Sequence, residues 1–290
     1  MKGVWRIDEK SFGRLWLSFV YLFLYIPLFF LIIFSFNSTR QDGVFTGFSM
    51  RWYQALLEDS RLVDGFWLSL KVALMTGFLS VVLGTFAAYV LVHYRRFRGR
   101  TLFYGMVNAP LVMPEVVIGL SLLLLMVAIQ RTVGWPDRGF ITIVLGHTLL
   151  GMSYATVVIQ SRLSEMDRSL EEAGMDLGCR PRQVFFLVTL PNISPALVSA
   201  WLLTFTLSFD DVVISEFLSG PGVTTLPQVI FSYARRGVNP SIYAAATLLI
   251  TVVSTGILIY SAVMMRRQKV LDREISEATG SPLMNLNGSA

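Results

Sequence analysis

Apolar positions in this chain fall into long, nearly unbroken blocks. They form neither the stripes of a surface helix nor the alternation of a half-buried strand. Six blocks are long enough to cross about 30 Å of hydrocarbon, which takes roughly 20 helical residues. They run Leu15–Phe36, Phe66–Val92, Leu102–Ala128, Phe140–Gln160, Pro195–Phe217 and Ile242–Met265. Backbone groups in lipid must be bonded internally, so each block is expected as a helix. The fold class read from the pattern is an all-α polytopic membrane protein with six transmembrane helices.

Polar positions orient these spans. The N-terminal tail (Lys2, Arg6, Lys10, Arg14), the second connection (Arg95, Arg96, Arg98, Arg100), the fourth (Arg162, Arg168, Arg180, Arg182) and the C-terminal tail (Arg266, Arg267, Lys269, Arg273) lie on one side. Together they hold sixteen basic residues. Arg40, Arg51, Arg61, Arg131, Arg138, Arg235 and Arg236, seven in all, lie on the other. The richer side is expected to be cytoplasmic, which places both termini inside. The organisation expected is a cytoplasmic tail (1–14), a first helix with its periplasmic connection (15–65), a five-helix core (66–265) and a cytoplasmic tail (266–290). Within the core a cytoplasmic hairpin spans 161–194. From about Ser276 the chain turns small and polar and reads as disordered. Arg51-Trp52-Tyr53, with Leu56 and Leu57, reads as a short interfacial helix with its rings at headgroup level.

Composition narrows the function classes. Hydrophobic residues make up 54% and charged residues 15%, against about 25% charged in soluble domains. The net charge of +5 sits in short inter-span segments, which belongs to topology and not to a nucleic-acid face. Cys179 is the single cysteine and makes no intramolecular disulfide. His93 and His147, the two histidines, read as packing or interface residues, so no metal site is expected. There is no Gly-Lys dipeptide, hence no phosphate loop of the Walker type. The first apolar block is too long for a signal-peptide core and is expected to remain as an anchor.

The hairpin carries the most specific pattern. Leu163, Met166, Leu170, Ala173 and Leu177 recur at helical spacing, with Glu165, Asp167, Arg168, Glu171, Glu172 and Asp176 on other faces. Gly178 suits a left-handed helix stop and Pro181 the first turn of a second helix. Glu172 also stands three residues after Ser169, the spacing of a capping box.

Five ionisable residues fall inside apolar blocks: Lys71, Glu115, Asp210, Asp211 and Glu216. Such residues are costly and mark function by default. At 1.5 Å per residue, Glu115 and Asp210 lie roughly 20 and 22 Å from the inner face, and Lys71 roughly 8 Å from the outer one. Two readings stay open: an interhelical ion pair made by Lys71, or carboxylates lining a path for a cation. Asp210 and Asp211 would point about 100° apart on a helix. Glu216 would sit near the outer mouth. Pro110 and Pro114 predict a bend beside Glu115.

A family resemblance gathers these features. Glu172-Ala173-Gly174, then Gly178, Val188 and Leu190-Pro191, resembles the EAA loop of bacterial importer permeases, with Gly174 in place of the second Ala and Val188 in place of Ile. The stretches APLVMPEVVIGLSLLLL, GWPDRG, LTFTLSFDDVVISEFLSGPGVTTLP and RRGVNPSIYAAATLL resemble the second permease of polyamine importers. GWPDRG and GPGVTTLP look most like the putrescine branch. The resemblance implies a type I ABC importer permease in the bacterial inner membrane, not an enzyme. It further implies coupling through the EAA loop to a cytoplasmic ABC ATPase dimer, a heterodimer with a second permease, and a periplasmic polyamine-binding protein. No cofactor would be bound by this chain; ATP and Mg²⁺ would sit on the ATPase. Spermidine or another small cation is the alternative substrate, and a proton-coupled secondary carrier the alternative mechanism. Phe209 stands where that family more often has Leu or Met, as a space-filler or a cation–π partner.

Overall fold

The structure, a computed structural model, describes residues 9–39, 44–94, 96–236 and 240–279. Among these residues twelve α-helices follow in chain order: α1 (Glu9–Ser35), α2 (Arg51–Glu58), α3 (Ser60–His93), α4 (Arg100–Val112), α5 (Glu115–Val133), α6 (Phe140–Glu165), α7 (Ser169–Asp176), α8 (Pro181–Val184), α9 (Leu190–Asp210), α10 (Val213–Leu218), α11 (Leu226–Arg235) and α12 (Pro240–Thr279). A π-helical turn, Phe185–Thr189, joins α8 to α9. Among the described residues, five helical segments are long and apolar enough to cross a membrane: Phe12–Ser35, Ser60–His93, Glu115–Val133, Phe140–Glu165 and Pro181–Asp210. Pro240–Gly256 is apolar but shorter.

The chain divides into two compact units, Met1–Glu58 with Val238–Ala290, and Asp59–Gly237. In the first unit α12 packs on α1 and α2, whereas the sequence pattern assigned this last helix to the core. The link from α1 to α2 is tied by Asn37, whose Nδ2 donates to the Val44 carbonyl at 2.7 Å while its carbonyl accepts from Trp52 Nε1 at 2.7 Å. Trp52 is therefore buried, with the Arg51 guanidinium over its ring. The expected interfacial helix exists, but its tryptophan turns inward because the indole N–H finds a protein acceptor. Helix α12 continues through Ser276, where a disordered tail was expected; residues 280–290, like Lys2, Arg6, Arg40 and Arg95, lie outside the described residues.

The second unit is built on α3, α6 and α9, each packed against the other two. Small residues allow the approach. A Cβ on Gly84 of α3 would stand 2.7 Å from the Ala155 Cβ and 3.0 Å from the Thr156 backbone nitrogen on α6. Lipid offers no hydrophobic drive to helix pairing, so close backbone contact supplies the attraction. Gly84→Val is expected to cost about 1–3 kcal/mol through overpacking; the measurement is the thermal midpoint of the purified protein in detergent. An unchanged midpoint would show that the α3–α6 contact yields freely.

Two of the predicted spans are interrupted. The block Leu102–Ala128 is not one helix: α4 ends at Val112, Met113 is extended (φ −81°, ψ 140°), and α5 starts at Glu115. Pro114 lacks an N–H and disfavours helical geometry in the residue before it, so a break replaces the expected bend. The block Pro195–Phe217 breaks at Asp211, which is extended (φ −66°, ψ 131°) between α9 and α10. The depth reckoned along a continuous helix for Glu115, and the 100° separation of Asp210 from Asp211, do not apply to this geometry, whereas α9 is unbroken as far as Asp210.

One apolar cluster (Val72, Ile118, Met126, Ile143, Val144, Ile214, Leu218) and another (Ala88, Ala155, Ile159, Leu163, Ile193, Ala200) fill the unit. Along α6, and along α9 into α10, a polar layer separates them. His147 lies between Val144 and Ala155, and Ser208 and Asp211 lie between Ala200 and Ile214.

Candidate functional site

Both helix breaks open on one cavity of about 350 Å³, lined by Glu115, His147, Thr204, Ser208, Asp210 and Asp211 among others. Three of the carboxylates singled out from sequence are thus brought together. Their circumstances differ. Asp211 accepts from the backbone N–H of Ile214 (3.3 Å) and of Ser215 (2.8 Å) at the start of α10. It also pairs with His147 Nε2 at 3.0 Å. The same nitrogen lies 3.1 Å from Ser215 Oγ, and His147 Nδ1 lies 2.7 Å from Ser208 Oγ. Asp211 is therefore a cap held by a buried histidine, and this is what terminates α9 and restarts the chain as α10.

Glu115 and Asp210 are exposed to the cavity. Among the described residues neither carboxylate forms an ion pair or accepts a hydrogen bond from another side chain. Glu115 is the first residue of α5, where the helix dipole favours negative charge. Two acceptor-only groups facing one cavity can receive the N–H donors of a cation.

Lys71 lies elsewhere. It lines a second cavity of about 660 Å³ with Arg61, Asp64, Trp67, Thr224 and Arg236. It appears in none of the ion pairs among the described residues, and no carboxylate of the first cavity is its partner. Glu216, in the first turn of α10, accepts from Gln228 Nε2 at 3.0 Å and belongs to the link between α10 and α11. Phe209 meets Phe66 edge-on and stacks on Phe205, contacts that fit a space-filling role.

The segment 161–194 folds as helix, turn, helix. Gly178 has φ 87°, the left-handed conformation its position calls for, and Pro181 opens α8. The apolar repeat read across 163–177 is split, however. Leu163 is buried in α6, which ends at Glu165, and only Leu170 and Ala173 sit on α7, with Leu177 just past its end. Asp167 accepts from the Ser169 N–H at 2.9 Å, which holds its carboxyl below the usual range. Ser169 is then the first residue of α7 and not a cap, so the capping box with Glu172 does not form. Glu172 is exposed, as are Leu170, Met175 and Leu177, the last at 86%. Gly174 is buried against Val184 and Val188. A Cβ there would meet them at 3.4 and 3.5 Å, ordinary contact distances, so the space also fits alanine. Leu190-Pro191 opens α9.

Glu171 is the residue that sequence reasoning misplaced. It is buried at 9% exposure instead of lying on a solvated face. Its Oε2 meets His93 Nε2 at 2.8 Å and its Oε1 accepts from the Thr189 hydroxyl at 2.6 Å. His147 was likewise read as a packing residue. The available signal for it was Ser208-x-x-Asp211 on one block with a lone histidine inside another.

Residues 80–270 match the family described as binding-protein-dependent transport system inner membrane component. The putrescine transport system permease protein PotI of Escherichia coli (strain K12) is 51% identical over 279 residues, 96% of this chain and 97% of that protein. The spermidine/putrescine transport system permease protein PotC of Haemophilus influenzae (strain ATCC 51907 / DSM 11121 / KW20 / Rd) is 36% identical over 86% of this chain and 94% of that one. Among solved structures, a chain of a bacterial ABC transporter that imports the acidic polysaccharide alginate superposes with a TM-score of 0.70. It covers 90% of this chain and 96% of its own length at 14% identity, a likeness of fold. The polytopic helical fold, the spaced hairpin and these matches converge: the chain belongs to the binding-protein-dependent transport system inner membrane components, and is a transport subunit of the inner membrane, not an enzyme.

Proposed function

We propose that the chain is the second permease of an ATP-driven putrescine importer. It would form the translocation path with a homologous permease, receive substrate from a periplasmic binding protein, and be driven by a separate ATPase dimer docked on α7. The observation that carries this reading is the pair of unengaged carboxylates, Glu115 and Asp210, where two interrupted helices meet. Putrescine is dicationic near neutral pH because amines titrate near 10, and two carboxylates offer it a transient partner for each end. Asp211, already committed to α10 and His147, is the weaker candidate for the path, and Glu216, bonded to Gln228, weaker still. The exposed apolar side chains of α7 and its end supply a surface for the ATPase, with Glu172 beside them. The identity to PotI exceeds that to PotC, which favours putrescine over spermidine.

Reconstitution tests the proposal. Uptake of labelled putrescine into proteoliposomes is expected only when this chain, the second permease, the ATPase, ATP and the binding protein are all present. Spermidine is expected to compete poorly. Uptake by this chain alone under a proton gradient would replace the proposal with a secondary carrier, and preferential spermidine uptake would move the substrate.

A further inference from the structure

Within the hairpin, the short helix α7 is tied to the end of α3 by side chains. Helix α7 packs on α8 and the π-helical turn, the elements next to it in sequence. Its attachment to α3 rests on side chains. Arg168, at the start of α7, donates to the Val92 carbonyl at 3.1 Å. Glu171 reaches His93, the last residue of α3, at 2.8 Å, and with its other oxygen holds Thr189 at 2.6 Å, one residue before α9. Thr189 is fully buried, and the Glu171 and His93 side chains are only 12% and 18% exposed.

The chemistry of this cluster is one-directional. His93 Nδ1 faces the Tyr89 carbonyl at 3.2 Å and Nε2 faces a carboxylate. Both partners are acceptors, so whichever ring nitrogen carries a proton has one to donate to. The Tyr89 ring stacks on His93 at 4.0 Å and meets Phe185 of the π-helical turn edge-on at 5.1 Å, closing the cluster on its apolar side. One carboxylate thus bridges the ends of two long helices from a short helix that otherwise packs on α8 and the π-helical turn and reaches α3 through Arg168. A partly buried, charge-assisted pair is stiff where an exposed one is not.

We infer that His93, Glu171 and Thr189 form a latch through which displacement of the hairpin is delivered to α3 and α9 together, making all three positioning residues for transport. The inference rests on the coupling role proposed for the hairpin. It differs from that role in naming the connection from α7 to α3 and the start of α9, whereas Glu172 is exposed on another face of α7.

The test measures putrescine moved per ATP hydrolysed by the reconstituted importer. His93→Leu removes both ring nitrogens and is expected to lower this ratio at least fivefold while the ATPase still co-purifies with the chain. His93→Gln keeps one N–H donor toward Glu171 and is expected to restore the ratio to within twofold of wild type. A merely structural role would shift yield or thermal midpoint and leave the ratio alone. If His93→Leu does not fold, Glu171→Gln and Thr189→Val, each nearly isosteric, decide the matter with an expected fall of twofold or more. A wild-type ratio in His93→Leu, or in both isosteric variants, overturns the latch, as does a Gln variant no better than Leu. A wild-type chain that retains no ATPase and moves no solute with ATP overturns the coupling reading itself, and the latch with it.

Discussion

Neutralising both free carboxylates, Glu115→Gln with Asp210→Asn, is expected to reduce putrescine uptake at least tenfold while ATP hydrolysis by the assembled importer falls less than threefold. Each substitution keeps shape and removes charge. A hydrogen bond to a charged group contributes about 1.5–3 kcal/mol, and a tenfold change corresponds to about 1.4 kcal/mol, so losing two such contacts reaches the predicted effect even after heavy discounting for a hydrated cavity. Folding should be spared, because neither side chain bonds another side chain among the described residues. Asp211→Asn is the contrast. That carboxylate caps α10 and holds His147, so its loss is expected to appear first as a lower thermal midpoint, with a cap alone contributing about 0.5–2 kcal/mol. Parallel measurement of uptake, ATPase rate and thermal midpoint separates the two cases. Equal loss of uptake and hydrolysis in the double variant would assign Glu115 and Asp210 to structure instead of to the path.

What could be read from residue order was what depends on composition and local geometry. The apolar blocks, the left-handed stop at Gly178 and the helix start at Pro181 follow from hydropathy and backbone sterics, which act over a few residues. The breaks did not follow in the same way. Pro114 announced a disturbance, but whether α4 and α5 bend or separate is decided by where α5 packs, and it packs on α10, nearly a hundred positions away. At Asp211 no proline or glycine marks the interruption. The side chain itself makes it, by capping α10, and it is stable there because His147 arrives from α6. The same limit explains Glu171 and Glu172. Adjacent glutamates on a short helix look equivalent in sequence, yet one faces His93 and Thr189 and the other faces away. Trp52 turned inward for the like reason that Asn37, fifteen residues before it, offered a carbonyl. Apart from the α4–α5 break, each of these misses is a polar side chain whose partner lies on another element, which is information that hydrophobic period does not carry.

Glu172→Lys is expected to abolish uptake, by about a hundredfold or more, in a protein that inserts and folds as wild type does. The local cost is small. Glu172 is exposed in the first turn of α7 and accepts no side-chain hydrogen bond among the described residues, so reversal forfeits mainly its interaction with the helix dipole, about 0.3–1 kcal/mol. The cost at a docked surface is of another order. Around this carboxylate the hairpin exposes Leu170, Met175 and Leu177, side chains that a soluble surface would not gather and that a partner would cover. A lysine buried there without its counter-charge leaves an unpaired ion, and breaking such a pair costs about 3–5 kcal/mol. At about 1.4 kcal/mol per decade, that is roughly two to three and a half orders of magnitude in ATPase retention. The decisive measurement pairs uptake with pull-down of the ATPase. Wild-type uptake in Glu172→Lys would remove this face from the interface. Full retention of the ATPase with no uptake would move the defect from docking to transmission, and so to the His93–Glu171–Thr189 cluster on a neighbouring face of the same helix.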